Sequence, residues 1–230
     1  MKSKAEQKPT LEEAPSSPEK TWQQTKSEQT RMAILDAAIG CFYELGYANT
    51  TTDNIARQAG VSRGAMLHHF PTRFDLIKAA VRYLSDKRLA RFMEEESRVN
   101  RGAEHTRVGE GIDAFWAQLN SPEWVVFHEL KVAARTDKEL EAALVPALAE
   151  FEKALYEAAT QIFPDLLLSE AFDRGNLLTT YLLEGMAAAK LVQGSRVPEK
   201  KMLDWLKREL VRSYQDVLTT VKRPDSSTAD

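Results

Sequence analysis

Apolar side chains recur every three or four residues along most of this 230-residue chain, and period-two alternation is essentially absent. That rhythm turns one face of a helix toward a core and offers no segment suited to one face of a sheet. Met32, Leu35, Ile39 and Phe42 define a first helix that ends at Gly46. Two short helices follow, Thr52 to about Ala59 and Arg63 to Phe70, the second closed by Pro71. A longer fourth helix starts near Arg73 and runs through Leu76, Ile77, Ala80 and Leu84 into the charged stretch EEESRVNRGAEHTR, a fraying end and linker. Further helices are expected from Arg107 to Leu119 and from Pro122 to Arg135, the latter capped by Ser121. A capping box TDKE at 136–139 should open a long helix to Phe163 with Pro146 as a kink. Glu170 to Gln193 and Pro198 to Val221 complete an all-α chain.

Composition narrows the setting. Residues 1–24 and 222–230 are rich in polar residues and read as disordered tails. The opening segment lacks the apolar core of a secretory leader, and the most apolar run, YLLEGMAAAKLV, is broken by Glu184 and Lys190. A lone Cys41 excludes an intrachain disulfide and suits a reducing compartment; its apolar helical setting makes it a buried packing residue. A soluble, cytoplasmic protein with no membrane partner is expected. The net charge is -3, yet Lys26 to Arg91 carries +4 and the remainder -7. A basic N-terminal part on an acidic body permits a polyanion partner for that part alone.

The stretch TDNIARQAGVSRGAMLHHF, residues 52–70, holds the most specific pattern. Ile55, Ala59, Val61 and Met66 supply apolar positions on two short helices, and Ala56 is small where they cross. Gly60 falls where a tight turn demands positive φ, and Ser62 can cap the next helix. Two short helices with a glycine turn describe a helix-turn-helix, whose second helix presents its N-terminal residues to the DNA major groove. Gly64 sits in that first turn although glycine costs a helix interior about 1 kcal/mol against alanine. A missing side chain there lets the duplex approach, and free N–H groups beside Arg63 suit phosphate. On spacing alone a helical hairpin with packing glycines remains open.

Residues 46–77, GYANTTTDNIARQAGVSRGAMLHHFPTRFDLI, resemble the DNA-binding region of the tetracycline-repressor (TetR) family of bacterial transcription regulators. The matching features are Gly46-Tyr47, Ile55-Ala56, AGVS at 59–62, Gly64, His69-Phe70 and Arg73. The resemblance implies that Thr51 and Thr52 cap the second helix and bond phosphate. It places Arg63, Gly64 and Ala65 against bases, His68 and His69 on backbone or groove, and Arg73 on phosphate. One position departs from the family: Leu67 stands where tyrosine is usual, so a phenolic donor is missing and leucine would meet a thymine methyl, a sugar, or only its own core.

Rival chemistries fail on spacing or context. Adjacent His68 and His69 point about 100° apart and do not form a one-face metal site. HELKV at 128–132 has Val132 where a zinc-protease motif needs its second histidine. GEGIDA at 109–114 matches a dinucleotide fingerprint, but no strand precedes it. No catalytic residue, metal or cofactor is expected, and the chain reads as no enzyme.

The resulting expectation is an N-terminal three-helix helix-turn-helix domain (25–72) joined by a long linker helix (73–99) to a helical effector-binding and dimerisation domain (73–221). Its partners would be a double-stranded DNA operator, a small organic effector and a second copy of itself. Leu182, Gly185, Met186 and Ala189, with Leu203, Leu206, Leu210, Tyr214 and Val217, are the candidate dimer residues, because these helices are apolar beyond one stripe. The resemblance implies that they pair into a four-helix bundle. Trp116, Trp124, Phe127, His128, Phe151 and Tyr181 are the candidate effector contacts. With no evident buried charge pair, an uncharged or weakly polar effector is expected. The leading functional reading is a repressor released by its effector. A helical ligand-binding or scaffold protein with little specific DNA binding, or an activator, is the alternative.

Overall fold

The computed structural model describes residues 22–98, 104–162, 169–192 and 196–221. Among the described residues there are nine helices and no strand. The N-terminal head comprises α1 (Trp22–Leu45), α2 (Thr52–Gln58) and α3 (Arg63–His69), and α4 (Arg73–Ser97) leads out of it. The body adds α5 (Glu104–Leu119), α6 (Pro122–Ala134), α7 (Lys138–Ile162), α8 (Glu170–Ala189) and α9 (Glu199–Val221).

Local chemistry sets most of the boundaries. Gly46 ends α1 at φ +79°, its N–H bonded to the Phe42 carbonyl. α4 opens with a reciprocal box in which the Thr72 N–H reaches Asp75 Oδ2 (3.1 Å) and the Asp75 N–H reaches Thr72 Oγ1 (3.0 Å). Ser121 and Ser169 cap α6 and α8 through their side chains.

Apart from one-residue shifts, four boundaries differ from the sequence expectation in position or cap. α1 begins at Trp22, inside the segment 1–24 expected to be a tail, where Lys26 Nζ lies 5.2 Å from the Trp22 ring one turn on. α5 begins at Glu104 rather than Arg107. The cap of α7 is Asp137, not Thr136: Asp137 Oδ1 accepts the Leu140 N–H (3.0 Å), while the Thr136 hydroxyl turns back to the Ala133 carbonyl. α8 stops at Ala189 and residues 190–192 turn away, held by Lys190 bonding Glu199 (2.8 Å) and Asn120 (2.6 Å).

The core is shared between head and body. One buried cluster runs from Ile34, Leu35 and Phe42 through Ile55, Met66 and Phe70 to Ile77, Val81 and Leu84. It continues without a break into Val126, Phe127 and Leu130 of α6 and Leu140 and Leu144 of α7. A second cluster joins α5, α8 and α9 around Phe115, Phe172, Leu183 and Leu206. A small third one, Phe92, Phe151 and Ala158, lies where α4 meets α7. Cys41 is buried as expected and donates its thiol proton to Gln58 Oε1 (2.8 Å).

Candidate nucleic-acid interface and interior polar site

The turn between α2 and α3 is built from backbone bonds. The Gly60 N–H reaches the Arg57 carbonyl (3.2 Å) and the Val61 N–H reaches that of Ala56 (3.0 Å), with Gly60 at φ +67°. This is a Schellman closure, and its central residue needs the left-handed conformation that glycine adopts freely. Thr51 forms a capping box with Asn54 at the start of α2, and Ser62 Oγ accepts the Ala65 N–H (3.1 Å) at the start of α3.

Met66 anchors α3 in the core, so the helix must turn its other side outward. Arg63 and Leu67 are one turn apart on the exposed side, as are Gly64 and His68; Ala65 and His69 are half-buried. Leu67 is 44% exposed, a large apolar side chain on an otherwise polar face. Gly64 has no conformational reason to be glycine, since only Gly46 and Gly60 have positive φ among the described glycines. Nor has it a packing reason: a Cβ there would meet only Ser62 Oγ, at 3.9 Å.

Thr51 and Arg73 are exposed beside this face and Thr52 is half-buried. Arg63 lies 3.7 Å from Asp53, an exposed pair worth at most about 1 kcal/mol and open to exchange for another anion. Burial, with the charges of His68 and Arg31, holds the His69 pKa below its ordinary value, so this imidazole is neutral at pH 7. The His68 and His69 rings stand edge to face 5.6 Å apart, and no three potential ligands converge on a metal site among the described residues.

Tyr47 ties this face to the body. Its N–H donates to Glu129 Oε1 of α6 (2.6 Å), and its hydroxyl donates to Asp137 Oδ2 at the start of α7 (2.7 Å). The Arg73 guanidinium lies 5.3 Å from its ring centre. The Leu140 N–H and the Tyr47 hydroxyl hold the Asp137 carboxyl below the usual carboxylate range, while burial raises the Tyr47 pKa. The sequence pairing of Gly46 with Tyr47 carried this junction, but nothing local named Glu129 or Asp137 as partners.

In the body, a cavity of about 70 Å³ lies among α4, α5, α7, α8 and α9. Phe92, Val108, Ile112, Phe115, Leu155 and Phe172 make most of its wall, with Asn176, Thr179, Thr180 and Tyr214 as polar groups. None of the six expected effector contacts lines it. Trp116 is a strut: its indole donates to Glu199 (2.9 Å), whose carboxyl is held low by Lys190 and Trp116. Trp124 is buried and stacks on His128, whose pKa is pulled down by burial and by Lys131, with Glu184 opposing. Tyr181 is 70% exposed and faces away from the interior.

Phe127 and Phe151 have a partner that the sequence reading missed. Arg88 of α4 is 2% exposed, with its guanidinium 3.8 Å from the Phe127 ring centre and 4.0 Å from that of Phe151. Its Nε and Nη1 are buried without a hydrogen-bond partner, as are Nε2 and Oε1 of Gln118 on α5. Leaving such groups unpaired costs about 1–3 kcal/mol each, more when charged. Burial lowers the Arg88 pKa to about 9, with Glu184 opposing, so the group stays protonated at pH 7. The sequence held a signal: Arg88 continues the buried row Ile77, Val81, Leu84 and precedes Phe92 by one turn.

The candidate dimer residues divide by burial. Met186, Leu206, Leu210 and Tyr214 are buried in the chain's own core, and Leu182 and Leu203 pack against it, because α9 lies on α5 and α8. Contrary to the sequence expectation, those four do not form a dimer face: a surface they do not reach cannot be made from them. Gly185 and Ala189 are exposed, and a Cβ at Gly185 would touch nothing. With Leu177, Leu178 and Tyr181 they form an outward apolar stripe on α8. The side chain of Val217 falls outside the described residues.

A capped, glycine-turned pair of short helices on a larger helical body is the architecture of helix-turn-helix DNA-binding proteins. Comparison with known proteins places it more narrowly. The family described as "Bacterial regulatory proteins, tetR family" matches residues 34–80. An uncharacterized HTH-type transcriptional regulator of Mycobacterium tuberculosis is 28% identical over 173 residues, covering 73% of this chain and 86% of that protein. The HTH-type transcriptional regulator TtgR of Pseudomonas putida is 40% identical over 77 residues, 33% of this chain and 37% of TtgR. GusR of Salmonella enterica shares the fold at TM-score 0.60 and 18% identity, over 81% of this chain and 95% of GusR. The multidrug binding protein EbrR, complexed with imidazole, does so at 0.55 and 22%, over 87% and 98%. Residues 34–80 thus match the DNA-binding region of the TetR family, and the rest of the chain shares the fold of solved TetR-family regulators. The curated relatives it matches are HTH-type transcriptional regulators. Among the described residues no helix is long and apolar enough to cross a membrane.

Proposed function

We propose that this chain is a ligand-responsive repressor. Two copies bind a pseudo-palindromic operator through their α3 helices, and a small organic effector in the body releases them. Gly64 carries the reading. A glycine that neither backbone nor packing requires, on the exposed first turn of α3, is explained by a surface that must come close from outside. Arg63, Gly64 and Ala65 would read base edges; Leu67, His68 and His69 would line the groove or backbone. Thr51, Thr52 and Arg73 would hold phosphate.

The α8 stripe of Leu178, Tyr181, Gly185 and Ala189 supports a homodimer, with half-sites about 34 Å apart or a multiple of that. α6 supports coupling between the two functions: Phe127 faces the interior, and two residues on Glu129 holds the Tyr47 N–H beside Arg73. EbrR, captured with imidazole and with proflavin, supports a small-molecule site in the body.

The test is binding of the full chain to DNA from upstream of its own and neighbouring genes. Operator affinity should exceed that for random DNA by about a thousandfold or more and fall steeply with salt. Arg63→Ala should relax base preference. Arg73→Ala should weaken all sequences alike and flatten the salt slope by about one unit. Equal binding to random DNA would leave a helical ligand-binding protein as the better reading. Transcription that rises with operator occupancy would make it an activator.

A further inference from the structure

The Arg88 guanidinium lies between two aromatic rings, which cover its faces. Ring faces attract a cation but accept hydrogen bonds poorly from N–H groups that lie in the guanidinium plane. What the sandwich leaves open is the guanidinium plane, where Nε and Nη1, on separate edges, are unpartnered and can each donate a charge-assisted bond to an anion's oxygen. Glu184 does not fill this role at contact distance; its carboxylate is engaged by Lys131 at 3.5 Å.

Arg88 is one side chain removed from the cavity wall. Phe92, one turn along α4 from Arg88, forms part of the cavity wall and packs edge to face on Phe151, which in turn covers Arg88. On α5, Gly111, Ala114 and Phe115 line the same cavity, and Gln118 continues their helical face with both amide atoms buried and unpartnered. A mostly apolar cavity thus has, one side chain beyond its wall, a fixed cation and a free amide.

We propose that the effector is a small organic acid, its carboxylate held by Arg88 and Gln118 and its apolar body in the adjoining cavity. This rests on the effector-responsive reading above and replaces the uncharged effector expected from sequence. Phe127 lies on α6 two residues before Glu129, so an anion that pairs Arg88 and loosens its ring sandwich acts on the helix that holds Tyr47.

Benzoate and octanoate, with benzamide and octanamide as neutral counterparts, test it in calorimetric titrations of the full chain. Each acid should bind at least about tenfold more tightly than its amide. Arg88→Met, which keeps the apolar stem, should bring acid and amide to within about twofold, and Arg88→Lys should retain part of the preference. Gln118→Leu should weaken acid binding while leaving the acid preferred. If Arg88→Met does not fold by circular dichroism, the lysine and Gln118 variants carry the test. Amides that bind as well as acids, or a preference that survives removal of the guanidinium, would make Arg88 a structural cation and overturn the proposal while leaving the effector reading intact. Failure of both acids to bind would also overturn it. Whether any effector exists is decided separately, by whether neutral compounds displace the protein from its operator.

Discussion

In the head, α3 sends Met66 inward and turns Arg63, Gly64, Leu67 and His68 to solvent. In the body, α9 sends Leu206, Leu210 and Tyr214 inward against α5 and α8. Both helices obey the same periodicity, yet they answer to different constraints. On the proposed function the outward face of α3 is fitted to a surface outside the chain, which accounts for residues there that are poor choices for folding: a glycine in a helix and an exposed leucine. The inward face of α9 is fitted to neighbours distant in sequence, and its residues say only that something apolar lies opposite. Head and body are nonetheless bonded into one core through α6 and α7.

That continuity predicts the largest effect. Leu130 is fully buried in α6, within the cluster that reaches Phe42 and Met66 of the head. Leu130→Ala should cost about 2–5 kcal/mol. Urea unfolding followed by tryptophan fluorescence, which reports chiefly the body, should shift together with loss of DNA binding, which reports the head. Two separated transitions, with the head unmoved, would show that the head has a core of its own and break the comparison.

Gly64→Ala separates folding from function within the head. With nothing closer to the new Cβ than Ser62 Oγ, the chain should gain up to about 1 kcal/mol from the better helix former. Operator affinity should fall by about tenfold, roughly 1.4 kcal/mol. A variant both more stable and equally tight on DNA would remove the external reason for the glycine.

The same contrast explains what could be read from the sequence. Gly46, Gly60, Ser62 and Thr51 are set by rules that act within a few residues, so turn, caps and α3 register were all legible. Met186, Leu206 and Tyr214 were assigned to a dimer face because a stripe records apolarity without naming the partner that covers it. Tyr181, expected as an effector contact for the same reason, is exposed. Arg88 is legible in register only once the helix is rotated about Leu84, since a basic residue in a charged run otherwise looks like a solvated one.

Tyr47→Phe probes the junction between the two regions. It removes the hydroxyl bond to Asp137 but keeps the ring beside Arg73 and the N–H bond to Glu129. Stability should fall by about 0.5–1.5 kcal/mol, with Asp137 keeping its bond from the Leu140 N–H. Operator binding in the absence of effector should change little, while release by effector should weaken. Unchanged release would mean that Glu129 alone, or α4, carries the signal.

The smallest effect compares one histidine from each region. His69 in the head and His128 in the body both have pKa values held below the ordinary one, chiefly by burial. The unfolded chain therefore takes up protons first as pH falls through about 6.5. Stability from the two neutral imidazoles is complete above that pH and is lost as pH drops toward and past their folded values. The melting temperature should decline between pH 7 and 5, and His128→Gln and His69→Gln should each reduce the slope. Acidification opposes the two functions differently. In the body, protonation sets a cation beside Lys131 and loosens the stack on Trp124, whereas in the head it adds positive charge to a surface proposed to meet phosphate. DNA affinity measured at low salt on the folded fraction should therefore rise slightly over the same interval in which the fold weakens. His69→Gln should abolish that rise and His128→Gln should leave it in place.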